Sequence, residues 1–228
     1  MILASHQPNF FPYMGYFYKI ARCDLFLFSN DVQFSNTKTG DMHNYNYIKG
    51  PQGKQKITLP VTYLPGALVK DVMIFDDKKQ VNGILKAINQ YYGKTPFFDE
   101  VYPHILSMFN IGFNFLSDFN INAIKWFCLK FGIKTRIELS PELTARKDDR
   151  IIELCKFTGA DTYLSGSGAA AYHVKEKYDS NCITLEYSDY VPPEYPQRYG
   201  EFIPNLSVID WVFNMGYSLP EGWLSWKR

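Results

Sequence analysis

The chain has 228 residues, which is enough for one well-buried core and short for two. Its 24 basic and 23 acidic residues give a formal net charge of +1, so it lacks the basic surplus typical of proteins that bind nucleic acid or anionic membranes. No segment approaches the run of about 18 apolar residues that a transmembrane helix needs, and residues 1–10 lack the pattern of a signal peptide. We therefore expect a cytoplasmic protein with a small-molecule substrate, no nucleic acid partner and no membrane span.

The first 28 residues predict a compact β-α-β unit. Residues 2–5 (ILAS) have the pattern of a short buried strand, and Pro8 and Pro12 then mark a loop. From Tyr13 the apolar residues fall three apart, as on one face of a short helix, and residues 24–28 (DLFLF) predict a second strand. Strands joined in this way are expected to be parallel.

The middle of the chain predicts a polar loop, two strands and a helical block. Residues 29–53 are polar and predict a loop, and the strands follow at 55–61 and 71–75. Amphipathic patterns then predict three helices within residues 80–131, two of them closed by Gly93 and Gly132. This block is expected to form a helical lobe inserted between two β-α portions.

Strands and helices alternate again after residue 133. Strands are predicted at 134–138, 161–165 and 182–187, and helices at 148–158 and 170–177. The alternation predicts an α/β fold with a mostly parallel, Rossmann-like sheet in three layers. The proline-rich residues 188–228 predict an irregular tail that wraps a single domain spanning 1–228.

Four cysteines occur, none close to another, and each lies in an apolar stretch: Cys23, Cys128, Cys155 and Cys182. No pair has zinc-binding spacing. We predict buried, unpaired thiols, as expected in a reducing compartment. No HExxH, DxD or GxSxG motif is present, and no metal ligands are predicted.

The segment His6-Gln7-Pro8-Asn9 follows the first predicted strand and is the leading candidate for a functional site. In open parallel sheets, ligands bind beyond the carboxyl ends of the strands. A histidine there can act as an acid or a base near pH 7, and the side chains of Gln7 and Asn9 add donors and acceptors. The alternative is structural: His6 only bonds backbone groups in a tight turn.

Asp31 and Gln33 follow the second predicted strand, in SNDVQFS. If both strands are parallel, these residues lie at the same sheet end as His6. Asp31 is then the candidate catalytic partner that orients His6, or it binds a ribose hydroxyl or Mg²⁺. The alternative is an Asx turn, which Asn-Asp pairs often form.

A small-residue loop, Ser165-Gly166-Ser167-Gly168, follows a later strand and precedes a predicted helix. Free backbone N–H groups in such a loop can bind phosphate or carboxylate, although no Walker A motif is present. The alternative is a flexible helix entry. Tyr172 lies one turn further on and is a candidate binding residue, and His173 is expected at the surface. Glu201 is expected either to close the pocket from the tail or to bond backbone groups.

The β-α-β opening is also similar to that of adenylate- and nucleotidyl-transferring folds. Those folds carry two histidines at the helix start, where this chain reads PYMGY and matches only at Gly15. A glycine at that place would let a phosphate approach backbone N–H groups.

Five separated blocks of the sequence resemble, in order, the WbqC-like protein family. The blocks are HQPNFFPYMGYFYKIARCDLFLFSNDVQFS, NYNYIKGPQGKQKITLPV, YYGKTPFFDE, GADTYLSGSGAAAY and PPEYPQ…GEFIPNLSVIDWVFNMG. Members of this family are encoded among genes for O-antigen and other surface polysaccharides. The resemblance implies an enzyme that transfers a glycyl or other acyl group to a sugar.

We therefore expect an aminoacyl or acyl transferase acting on an amino sugar or sugar nucleotide, with His6 as acid or base and Ser165–Gly168 as a phosphate cradle. ATP or a sugar nucleotide is the expected cofactor or cosubstrate. Two alternatives stay open: a nucleotidyl- or glycosyl-group transferase on the same scaffold, and a non-catalytic sugar-nucleotide-binding protein.

Overall fold

The computed structural model describes residues 1–35 and 41–225. The strands are β1 (Ile2–His6), β2 (Leu25–Phe28), β3 (Tyr45–Gly50), β4 (Gly53–Thr58), β5 (Val61–Thr62), β6 (Met73–Ile74), β7 (Arg136–Leu139), β8 (Thr162–Ser165) and β9 (Thr184–Tyr187). The α-helices are α1 (Met14–Ala21), α2 (Lys78–Tyr92), α3 (Phe98–Asn110), α4 (Leu116–Lys130), α5 (Lys147–Thr158), α6 (Lys175–Asp179) and α7 (Val208–Met215). Short 3-10 helices span Val69–Asp71 and Ser167–Tyr172.

Five strands form a central sheet in the order β7-β2-β1-β8-β9, and every neighbouring pair is parallel. Along the chain, β2 and then β7 are added on one side of β1, and β8 and then β9 are added on its other side. The direction of growth therefore reverses between β1 and β8. In open α/β sheets, ligands bind beyond the carboxyl ends of the strands at such a reversal. The predicted mostly parallel, Rossmann-like fold is confirmed.

Alternation along β1 places side chains on two faces, each with its own core. Ala4 faces a large apolar cluster that also takes in buried residues of α1, α2, α3, α4 and α7. Leu3 faces a smaller cluster with Leu154 of α5 and Tyr178 of α6. The sheet thus lies between two helical layers, as predicted, and its strand ends are held by packing on both sides.

The prediction of a loop over residues 29–53 is wrong at its C-terminal end. β3 pairs with β4 in an antiparallel hairpin whose register runs from Tyr45 opposite Thr58 to Gly50 opposite Gly53. The hairpin can bury polar residues because their side chains are hydrogen-bonded to other parts of the chain. The Asn46 amide, for example, donates to the carbonyls of Phe10 and Phe11, at 3.1 and 2.8 Å.

The prediction of an irregular tail is wrong at α7, which is buried along most of its length. Ser207 caps its N-terminus, and it ends at Gly216, which has φ of +65°. These start and stop signals are present in the sequence. Asp210 inside α7 accepts hydrogen bonds from Tyr92, Tyr195 and Gln197, at 2.6 to 2.9 Å. The bond from Tyr92 ties the tail to α2, and the other two hold the tail against α7.

All four cysteines are free thiols, and three are buried as predicted: Cys23, Cys128 and Cys155. The prediction is wrong for Cys182, which is exposed in the turn before β9 with φ of +56°. Within residues 1–35 and 41–225, no helix is long and apolar enough to cross a membrane.

Candidate functional site

A cavity of about 390 Å³ opens at the carboxyl ends of β1 and β8, where the strand order reverses. Its walls come from β1, α1, the loop after β8 and the tail. They include Ser5, His6, Gly15, Lys19, Ser165, Gly166, Ser167, Gly168, His173, Ser188 and Tyr190. The cavity thus brings together predicted site residues from three separate segments.

A hydrogen-bonded series runs from Ser165 and His173, which line this cavity, to Asp148. The Ser165 Oγ lies 2.9 Å from Nε2 of His173, and Nδ1 of the same ring lies 2.7 Å from Oδ1 of Asp148. Because an ionised carboxylate only accepts, Nδ1 carries the ring proton and Nε2 presents its lone pair to the serine hydroxyl. This arrangement can activate a serine as a nucleophile.

Asp148 is held in place by more than the histidine. Its carboxylate also accepts from the Val174 backbone N–H and from the Tyr178 hydroxyl, both at 2.9 Å. Burial raises the pKa of this carboxyl, but the hydrogen bonds from His173, Val174 and Tyr178 outweigh burial, and the pKa lies below its ordinary value. Asp148 is therefore ionised at neutral pH and fixes the orientation of the imidazole.

Two elements position Ser165 and His173. Ser165 is the last residue of β8, and the 3-10 helix Ser167–Tyr172 turns the chain so that His173 comes back over it. The single helix predicted over 170–177 is divided into this 3-10 turn and α6. The prediction that His173 lies at the surface is wrong, because its side chain is only 8% exposed. No sequence spacing links positions 148, 165 and 173, so pattern reasoning missed the series.

His6 ends β1 and lines the cavity. Its Nδ1 lies 3.0 Å from the Gln7 carbonyl, so that nitrogen donates, and Nε2 has no partner among the described residues. Burial, with a smaller contribution from the Lys19 charge, lowers the pKa of His6 to about 3. The ring is neutral at pH 7 and a much weaker base than expected, although its free Nε2 can still accept a hydrogen bond.

Asp31 does not orient His6. Its carboxylate forms a two-pronged ion pair with Arg150, at 2.6 and 2.9 Å, and the two side chains are only 6% and 12% exposed. It also accepts from the backbone N–H of Leu143 at 3.4 Å. The predicted pairing with His6 is therefore wrong, since the carboxylate is bound to α5. A catalytic role for Asp31 stays a prediction that the geometry does not favour.

Gly15 is needed for packing. A Cβ there would lie 2.3 Å from the Tyr13 ring and 2.7 Å from the Tyr190 ring, so only glycine fits beneath them. The two rings meet edge to face over the start of α1. This crowding works against the predicted approach of a phosphate to the backbone at Gly15.

The remaining predicted binding residues lie away from the cavity. Gln7 donates to Asp41 at 3.2 Å, and Asn9 is buried. Gln33 forms a backbone bridge with Leu68. The side chain of Tyr172 is exposed, and Glu201 offers its carbonyl to Lys49. The expectation that Glu201 closes the pocket is wrong: the tail reaches the cavity at Ser188 and Tyr190 instead.

Lys19 is a cavity residue that sequence reasoning missed. It lies in α1, is only 5% exposed and donates from Nζ to the Ser5 carbonyl at 3.1 Å. Burial lowers its pKa to about 8. The signal in the sequence was a lone charge inside an otherwise apolar helix, MGYFYKIA.

Within the described ranges, no group of three or more His, Cys, Asp or Glu side chains is arranged to hold a metal ion.

The model of the WbqC-like protein family matches residues 7–220. The chain is 31% identical over 228 residues to the uncharacterized protein Rv1507c of Mycobacterium tuberculosis, with 96% of each chain covered. No solved structure matches the chain. The family match spans Asp148, Ser165 and His173, and the chain belongs to the WbqC-like protein family.

Proposed function

We propose that the protein is a transferase of surface-polysaccharide biosynthesis that moves an acyl or aminoacyl group, such as glycyl, to an amino sugar or sugar nucleotide through an ester on Ser165. The observation that carries the proposal is the hydrogen-bonded series Ser165–His173–Asp148, whose serine and histidine line the cavity at the strand-order reversal. Membership of the WbqC-like protein family supports the polysaccharide setting.

The chemistry follows from the hydrogen bonds. Ser165 Oγ attacks the acyl carbonyl carbon and passes its proton to Nε2 of His173, and the leaving group departs with that proton. The acceptor amine or hydroxyl then attacks the ester, gives its proton to Nε2, and the serine is regenerated. Asp148 stays ionised throughout and stabilises the imidazolium that forms twice.

His6 takes a different role from the proton carrier that the sequence suggested. A ring with a pKa of about 3 is neutral at pH 7 and keeps only the proton on Nδ1. Its free Nε2 instead accepts a hydrogen bond from the acceptor's amine or hydroxyl inside the cavity. This orients the attacking group, and positioning of this kind can contribute several kcal/mol of barrier.

Nucleotidyl- or glycosyl-group transfer is the second candidate. It is favoured by the strand order, since nucleotides bind at this reversal in many α/β proteins. The Ser165–Gly168 loop would then bind phosphate. A non-catalytic binding protein is the third reading, in which the series only anchors the 3-10 helix to α5.

The test is a transfer assay with acetyl and glycyl thioesters as donors and glucosamine and UDP-glucosamine as acceptors, followed by mass spectrometry of the acceptor. We expect an acylated acceptor with the native protein and with Ser180→Ala, a change at an exposed serine that directly follows α6. We expect none with Ser165→Ala. Nucleotidyl transfer when ATP is added, or transfer of the glucosaminyl group of UDP-glucosamine, in place of acylation would favour the second candidate. Ligand binding without any transfer would favour the third.

A further inference from the structure

Lys19 is a buried cation without a carboxylate partner. Its Nζ has three donors, and the Ser5 carbonyl uses one of them. None of the ion pairs among the described residues includes Lys19, and its Nζ lies 6.0 Å from the centroid of the Phe26 ring. Buried charges in proteins are normally paired, because taking an ammonium out of water is costly.

The cavity offers a second unsatisfied polar group. Ser188 lines the same cavity as Lys19, and its buried Oγ atom has no hydrogen-bond partner among the described residues. Ser188 is fixed there because its backbone N–H donates to the Ser165 carbonyl at 2.8 Å. An ammonium with donors to spare and a hydroxyl without a partner are matched by an anionic oxygen group on a ligand.

The charge of the cavity wall limits the charge that a bound ligand can carry. Lys19 is the one lysine or arginine among the described lining residues, which include no aspartate or glutamate, and His6 is neutral. The cavity therefore offers one positive charge from lysine. A group with one negative charge balances it, whereas a pyrophosphate brings at least one further negative charge into a buried site.

We propose that the Lys19 end of the cavity is a subsite for a singly charged oxyanion of the substrate, a carboxylate or a phosphodiester, and that it excludes the pyrophosphate of a sugar nucleotide. This proposal rests on the proposed function and narrows it. The acyl donor or the acceptor sugar carries the single negative charge, and any nucleotide diphosphate stays outside the cavity.

The experiment is an NMR titration of the full chain at pH 7 and constant ionic strength, following the backbone amides of Ser5, Gly15 and Lys19. The probes are acetate, dimethyl phosphate and inorganic pyrophosphate. We expect saturable shifts with acetate, dimethyl phosphate or both, and binding of pyrophosphate weaker by at least about tenfold. The comparison of the first two probes identifies which oxyanion the subsite takes.

Lys19→Met should abolish the shifts, and Lys125→Met, which removes an exposed charge on α4, should not. Because Lys19→Met removes a buried charge, its thermal midpoint at pH 7 is expected at or above that of the native protein. Pyrophosphate binding as tight as acetate, shifts that persist in Lys19→Met, or no shift with any probe would overturn the proposal. Ser165→Ala should keep the binding, so a failure of acyl transfer and a failure of this subsite are separate results.

Discussion

The Oγ of Ser165 lies 2.9 Å from Nε2 of His173, although the backbone between them leaves the sheet and returns through a 3-10 turn. The strand end fixes the serine, and Asp148 at the start of α5 fixes the histidine. Hydrogen bonds therefore hold the end of β8, the residue after the 3-10 turn and the start of α5 together. Such rigidity is what a nucleophile and its base require.

Asp148→Asn tests whether the carboxylate acts on the histidine. An asparagine amide can place its NH₂ group against Nδ1 and stabilise the wrong tautomer, so we expect transfer to fall by about 10⁴-fold. The matched control is Tyr178→Phe, which removes a hydroxyl that lies 2.9 Å from both the Asp148 carboxylate and Nδ1 of His173 but leaves the Ser165–His173 contact. Single-turnover rates of the two variants should differ by orders of magnitude. Equal rates would mean that Asp148 has only a structural role.

Asp31→Asn tests whether Asp31 stabilises the fold through Arg150 rather than taking part in catalysis. The change leaves the Arg150 guanidinium buried without its anion, so we expect a loss of about 3–5 kcal/mol in the free energy of unfolding. Transfer measured well below the unfolding temperature should change little. The measurement is urea denaturation beside the transfer assay. A large loss of activity with unchanged stability would return Asp31 to the catalytic candidates.

The pH dependence of stability tests the state of His6. The pKa is about 3 in the folded chain and near 6.5 for an ordinary histidine, so between these values the unfolded chain binds one more proton. The contribution of the neutral His6 ring to the free energy of unfolding is therefore fully present above pH 6.5. It is lost as the pH falls toward 3, at up to about 1.4 kcal/mol per pH unit. His6→Gln should remove this contribution, as measured by urea denaturation from pH 4 to pH 7. Stability curves that stay parallel for the two proteins would contradict a buried neutral His6.

Much of the fold was predictable because strand and helix patterns alternate and parallel sheets follow from that alternation. The sequence also places His6 and Ser165 at strand ends, which share one sheet edge. Sequence patterns could not show that Asp148 and His173 converge on Ser165, since that depends on how α5 and the 3-10 turn pack. For Lys19 the sequence shows only a lone charge in an apolar helix, and the tertiary structure was needed to place that charge in the cavity.

The most direct test of the central claim is the covalent state of Ser165 after reaction with an activated ester. The native protein is treated with p-nitrophenyl acetate, quenched with acid, digested and analysed by mass spectrometry. We predict one acetyl group on the peptide that contains Ser165, with label lost in Ser165→Ala and strongly reduced in His173→Ala. If Ser165 stays unmodified while other residues react, or if His173→Ala is labelled as fast as the native protein, the account of an activated serine is contradicted.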